Sequence, residues 1–161
     1  MVQKAATAVD RTKVEARLAT SADRDAVLAL YRELRPDDPV LEPEHAVALW
    51  MGLLAEPRID LIIASWEGRT GATCMLASIP NLASGGRPIG IVEHVITGSA
   101  FRRRGLARAA LELALECAWR RDCCKVMLLS GAQRPEAHAL YRSLGFDGDI
   151  ERGFVIKPPR G

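Results

Sequence analysis

The first patterned stretch of the chain is VEARLA, Val14 to Ala19, in which apolar and polar residues alternate as in a β-strand. Thr20 or Ser21 stands where a helix N-cap belongs, and Val27, Leu30, Tyr31 and Leu34 then recur at helical spacing. Pro36 ends that helix. The segment RPDDPVLEP reads as a loop able to cover a site, and Pro43 suits the first turn of a second helix carrying Ala46, Trp50, Leu53 and Leu54. Three β-type runs follow: IDLIIASW, then ATCMLASIP after the turn EGRTG, then IGIVEHVITG after a glycine-rich connection. These predict three neighbouring antiparallel strands.

The period then changes. Gly105 to Arg121 predicts a long helix with Leu106, Ala110, Leu113 and Cys117 on one stripe, followed by KVMLLS as a buried strand. Strand–helix–strand connections cross over right-handedly, so the strands containing Val95 and Met127 should be parallel neighbours. A last helix from Pro135 to Leu144 stops at Gly145, and GFVIKP is expected to close the chain as a final strand. Residues 1–13 read as a flexible leader and residues 14–161 as one domain.

Composition narrows the function classes. A length of 161 residues with 48% hydrophobic content supports one core and leaves no room for a second full domain. The formal net charge of +2 implies no whole-molecule attraction to nucleic acid or to an acidic membrane. Cys74, Cys117, Cys123 and Cys124 form neither a C-x-x-C pair nor a zinc-ligand spacing, so no metal is expected. No apolar run approaches the ~20 residues that span a bilayer, and the N-terminus lacks the apolar centre of a secretory signal. A soluble, cytoplasmic protein is the expectation.

The chemistry concentrates in EHVITGSAFRRRGLARAALELAL, where an extended run turns through Arg102, Arg103, Arg104, Gly105, Leu106 and Ala107 directly into a helix. Such a helix start exposes unpaired backbone N–H groups and the positive end of the dipole, and Gly105 and Ala107 let an anion approach closely. Taken alone, R-x-x-G-x-A reads equally as a strand–helix turn with a solvated basic run.

The turn RRRGLA, together with LYRSLGF from Leu140 to Phe146, resembles the GNAT superfamily of N-acetyltransferases, whose pyrophosphate motif is Q/R-x-x-G-x-G/A. The resemblance covers Ile89 to Phe146, and the VEHVIT strand is similar to small bacterial members and, distantly, to glucosamine-6-phosphate N-acetyltransferases. It implies a mixed α/β fold of the α+β type: a twisted, mostly antiparallel sheet, helices on both faces, and one splayed parallel strand pair opened by a β-bulge that nothing in the sequence locates. It also implies that acetyl-CoA is the co-substrate. Pyrophosphate would lie on Arg102, Arg103, Arg104, Gly105, Leu106, Ala107 and Arg108, and pantetheine along the main chain of Val95, Ile96 and Thr97. Arg134 occupies the place where many relatives carry a cofactor-touching asparagine.

Tyr141 is the implied general acid toward the departing thiolate, although Ala137, Leu140, Tyr141 and Leu144 share helical spacing and a core aromatic is the alternative. Glu93 is a candidate base, and strand alternation sets it on the opposite face from His94. The cysteines, the Cys123-Cys124 pair included, show no activated nucleophile, so direct transfer to a small-molecule or peptide amine without an acyl-enzyme is the expectation. The rivals are a CoA-binding sensor or interaction module without turnover, and a nucleic-acid binder using FRRRGLAR. Against the latter stand the low net charge and the lack of interleaved exposed aromatics. A homodimer, formed by the hairpin around Asn81 and Gly85, is expected from relatives.

Overall fold

The computed structural model describes residues 10–159, and residues 1–9 of the expected leader lie outside them. The chain forms two compact units, one up to Leu128 and one from Leu129 onward. In the first, β1 (Val14–Leu18), β2 (Ile59–Trp66), β3 (Arg69–Ile79), β4 (Ile89–Thr97) and β5 (Lys125–Leu128) make one five-stranded sheet in chain order. Successive pairs are antiparallel except β4 and β5, which run parallel. A 3-10 turn over Arg11–Lys13 precedes β1, and Lys13 pairs with Glu67 at 2.6 Å.

Helices α1 (Arg24–Leu34), α2 (Pro43–Ala55) and α3 (Leu106–Arg120) cover the sheet. Alternation along β2 divides the core between two faces. Leu61 and Ile63 join Val27 of α1 and Trp50 of α2 in one buried cluster, while Cys74 of β3 reaches the Ala110 carbonyl of α3 at 3.6 Å. Asp23 holds the entry to α1: its carboxylate accepts bonds from both the Thr20 amide and hydroxyl and a two-pronged contact from Arg17. Arg17 and these bonds draw the Asp23 carboxyl down to about 2. At the far end of α3, Arg121 pairs with the buried Asp60 of β2 and lies 3.3 Å from the Ser78 hydroxyl of β3, tying the helix C-terminus to two strands.

Several boundaries differ from the sequence expectation. The β2–β3 turn contracts to Glu67 and Gly68, both in the left-handed region at φ 49° and 78°, so β3 starts at Arg69 rather than after EGRTG. A two-residue turn with this twist suits a hairpin and lets pairing begin at once. β5 is half-buried rather than buried and stops at Leu128.

The second unit contains α4 (Pro135–Ser143), closed by Gly145 at φ 93°. The expected last strand is absent: residues 153–158 carry no strand, and Phe154, Val155 and Ile156 are exposed. A single extended segment makes none of the interstrand bonds that define a strand, and the sheet ends in order at β5.

Candidate active site

The parallel pairing of β4 with β5 runs from Ile89↔Lys125 to Val92↔Leu128 and ends there, although β4 continues to Thr97. From Glu93 onward the β5 side of β4 therefore has no paired strand among the described residues. On the other side, Met75 of β3 pairs with Glu93 and Thr73 with Ile96, so His94 and Val95 together stand opposite Cys74. This is a β-bulge, and His94 takes φ 56° within it. The bulge that the sequence could not locate thus lies beside the point where the parallel pair parts.

It also overturns the alternation expected for Glu93 and His94. With one extra residue and a left-handed backbone at His94, adjacent side chains no longer oppose each other. Both are half-buried, and His94 Nδ1 comes within 3.8 Å of Glu93 Oε2. The imidazole packs edge-on against Tyr31 of α1, ring centroids 5.1 Å apart. Burial lowers the His94 pKa, Glu93 opposes that shift, and Arg35 reinforces it. The neutral imidazole is therefore favoured at neutral pH. Burial pushes the Tyr31 phenol up to about 12, so it stays protonated. Sequence reading missed Tyr31 as a neighbour of this site because its helical spacing marks it simply as core.

β4 leads through Gly98 and a 3-10 turn, Ser99–Phe101, to the arginine-rich turn. The Gly98 amide donates to the Gly71 carbonyl at 2.9 Å, and the Ser99 amide to Glu33 of α1 at 2.9 Å, fixing the approach from both sides. Arg103 has φ 59°, and Gly105, at φ 79°, is the N-cap of α3 with no side-chain cap. The first turn of α3 thus offers amide donors of the kind that bind anions.

The three arginines of RRRGLA occupy different surroundings. Arg102 and Arg103 are exposed, whereas Arg104 is half-buried, 5.0 Å from the Trp66 ring and 5.9 Å from the Phe101 ring. Arg108 pairs with Glu112 at 3.4 Å. Leu106 is buried in the core and Ala107 is half-buried. Val95 and Thr97 are half-buried and Ile96 is 9% exposed.

In the second unit Arg134 is the exposed N-cap of α4. Tyr141 is 8% exposed, with Phe146 edge-on at 6.2 Å, a placement compatible with a packing role and with a shielded phenol alike. His138 lies 3.0 Å from the Gly131 carbonyl, and His45 is exposed. Cys74, Cys117 and Cys123 are buried, and burial pushes the Cys74 thiol up to about 12, the opposite of nucleophile activation. No described helix is long and apolar enough to cross a membrane.

Comparison with known proteins agrees with this architecture. A structure from Agrobacterium tumefaciens assigned as an acetyltransferase is 38% identical, with a TM-score of 0.83 over 89% of this chain and 99% of that one. Two more distant structures share the fold alone. They are the glucosamine-6-phosphate N-acetyltransferase of Arabidopsis thaliana (15% identity, TM-score 0.75, 89% and 99% covered) and the aminoglycoside N-acetyltransferase AAC(6')-Iy, solved with a CoA-linked bisubstrate analogue (16%, 0.75, 91% and 99%). No curated protein matches the sequence. The acetyltransferase (GNAT) family model matches residues 27–146, from the buried face of α1 through the bulged strand and the arginine turn to Phe146, and the chain belongs to that family.

Proposed function

We propose that the chain moves the acetyl group of acetyl-CoA to an amine by direct attack within a ternary complex. The observation that carries this reading is the continuity of β4 with the uncapped start of α3: a strand free of its parallel partner beyond Val92 runs into a left-handed glycine turn flanked by exposed arginines. In this reading the amides from Arg103 to Arg108 hold the pyrophosphate, with Arg102, Arg103 and Arg134 adding charge. The main chain of Val95, Ile96 and Thr97 binds pantetheine as an added strand would.

Glu93 receives the proton that an ammonium must lose before it can attack, directly or through a water. The neutral amine then forms a C–N bond at the thioester carbonyl, main-chain donors stabilise the oxyanion, and the C–S bond breaks. The Tyr141 hydroxyl gives its proton to the departing thiolate; the second proton that the nitrogen sheds on becoming an amide passes to water, and the phenolate is reprotonated from water, so the protons balance. An unperturbed thiol near about 8.5 and a phenol near about 10 make this transfer modestly uphill, which favours a site closed to water.

Thiol release from acetyl-CoA, measured across a panel of amine classes, tests the reaction. Binding without release for every amine would leave a CoA-binding module in place of an enzyme. Tyr141→Phe keeps the ring and removes the donor, so kcat should fall by about 10²–10⁴-fold with CoA affinity and melting temperature nearly intact. Near-normal turnover of the folded variant would return Tyr141 to core packing.

A further inference from the structure

The arginine-rich turn is attached to the β2–β3 hairpin by a run of alternating cations and rings. Lys13 lies 5.7 Å from Trp66, Arg104 5.0 Å from Trp66 and 5.9 Å from Phe101, and Arg69 5.3 Å from Phe101. Arg104 is the member shared by both rings. All of these distances fall within cation–π range.

The hairpin is shaped to receive this contact. Pairing between β2 and β3 shifts between Ala64↔Ala72 and Ser65↔Thr70, leaving Gly71 as the extra residue. A Cβ on Gly71 would stand 2.5 Å from the Phe101 ring, so the ring rests directly on bare backbone. The Gly71 carbonyl also receives the Gly98 amide, so the same glycine anchors the start of the loop whose end Arg104 anchors.

We infer that Arg104 is a positioning residue for pyrophosphate binding, its guanidinium held between Trp66 and Phe101 so that the amides beyond Gly105 are set before the ligand arrives. This rests on the proposal that CoA binds at this turn. The physical basis is preorganisation: a turn ordered during folding does not lose that freedom on binding, which strengthens affinity without a new contact. Division of labour within RRRGLA follows, with Arg102 and Arg103 exposed toward solvent and available to phosphates while Arg104 acts through aromatic rings.

The test is calorimetric binding of CoA to the full chain at two salt concentrations, combined with steady-state kinetics. Arg104→Gln should raise the Kd of CoA and the KM of acetyl-CoA about tenfold while leaving kcat unchanged, and Arg104→Lys should recover most of the loss because it keeps a cation on the rings. Trp66→Leu should weaken binding in the same direction but by less, because the Phe101 contact of Arg104 remains, and the double variant should bind no worse than Arg104→Gln alone, since that change already removes the Trp66 contact. The salt dependence of binding should flatten less in Arg104→Gln than in Arg102→Ala or Arg103→Ala, because a guanidinium held on aromatic rings acts on the phosphates only through space whereas a direct phosphate contact is lost in the other two. Wild-type affinity in a folded Arg104→Gln protein would overturn the inference. So would additive losses in the double variant, or a salt dependence flattened as far as in Arg102→Ala or Arg103→Ala, which would make Arg104 a phosphate ligand. Failure of the unaltered protein to bind CoA at all is a different result, because it removes the acetyl-CoA reading itself.

Discussion

The bulge in β4 and the turn before α3 both hold a non-glycine residue in the left-handed region, His94 at φ 56° and Arg103 at φ 59°, but by different means. At the turn the local sequence does much of the work. Gly105 accepts φ 79° without steric cost, and its carbonyl already receives the Ala109 amide, both within the motif itself. At the bulge no glycine helps. His94 sits amid strand-forming residues and is held by the register of β3, by Tyr31 and by the end of pairing with β5. Strain in a turn can thus be written into a short motif, whereas strain in a strand is imposed by partners distant in sequence.

The two regions should fail differently when altered. The largest effect is expected at the acceptor side: Glu93→Gln should lower kcat/KM by about 10²–10⁴-fold at pH values where the amine is protonated, and by less as the amine loses its proton in bulk solution, with CoA affinity unchanged. A pH–rate profile that keeps its shape would remove Glu93 from proton transfer and leave water as the acceptor.

The turn should respond in binding. Gly105→Val places a β-branched side chain at φ 79°, so the amides of the first turn of α3 must shift, and CoA should bind at least about tenfold more weakly. Unaltered affinity in calorimetry would mean that the ligand does not use this helix start.

A smaller effect separates the bulge from an ordinary strand. Valine normally favours strands, yet His94→Val should cost about 1–2 kcal/mol because of the left-handed backbone, while His94→Asn, a residue that tolerates this region, should cost much less. Thermal unfolding of the two variants decides the matter: equal midpoints would show that the bulge relaxes into regular pairing.

The smallest expected signal is the titration of His94 itself. Burial outweighs the attraction of Glu93, so the imidazole should titrate below 6.5 by NMR, and a midpoint at or above 6.5 would mean that the carboxylate wins. The sign for stability follows. The folded state binds this proton less readily than the unfolded chain, so the contribution of His94 is present above the unfolded value and declines as pH falls below about 6.5.

Much of this molecule was legible in one dimension. The three central strands, the helix starting at Pro43, the helix from Leu106 and the closing Gly145 follow from periodicity, proline at a first turn and glycine after a last one. The geometry of the arginine turn was legible because its parts are contiguous: glycine, small residue and helix start adjoin one another. The final strand was misread because GFVIKP has strand-like composition, and composition does not supply a neighbouring strand to pair with.

Sequence alone determined the order and type of the elements as far as α4 and placed the arginine turn at the head of α3, because these depend on interactions within a few residues. Tertiary structure decided where β4 bulges, that Glu93 and His94 share a site despite alternation, and that Tyr31 joins them. It also decided which arginine serves the fold. Trp66 and Phe101 are far apart in the chain, so the rings that capture Arg104, and interleave aromatics with the basic run, exist only once β2, β3 and the β4–α3 connection have come together. Register and nonlocal packing act between segments, and no short window of sequence contains both partners.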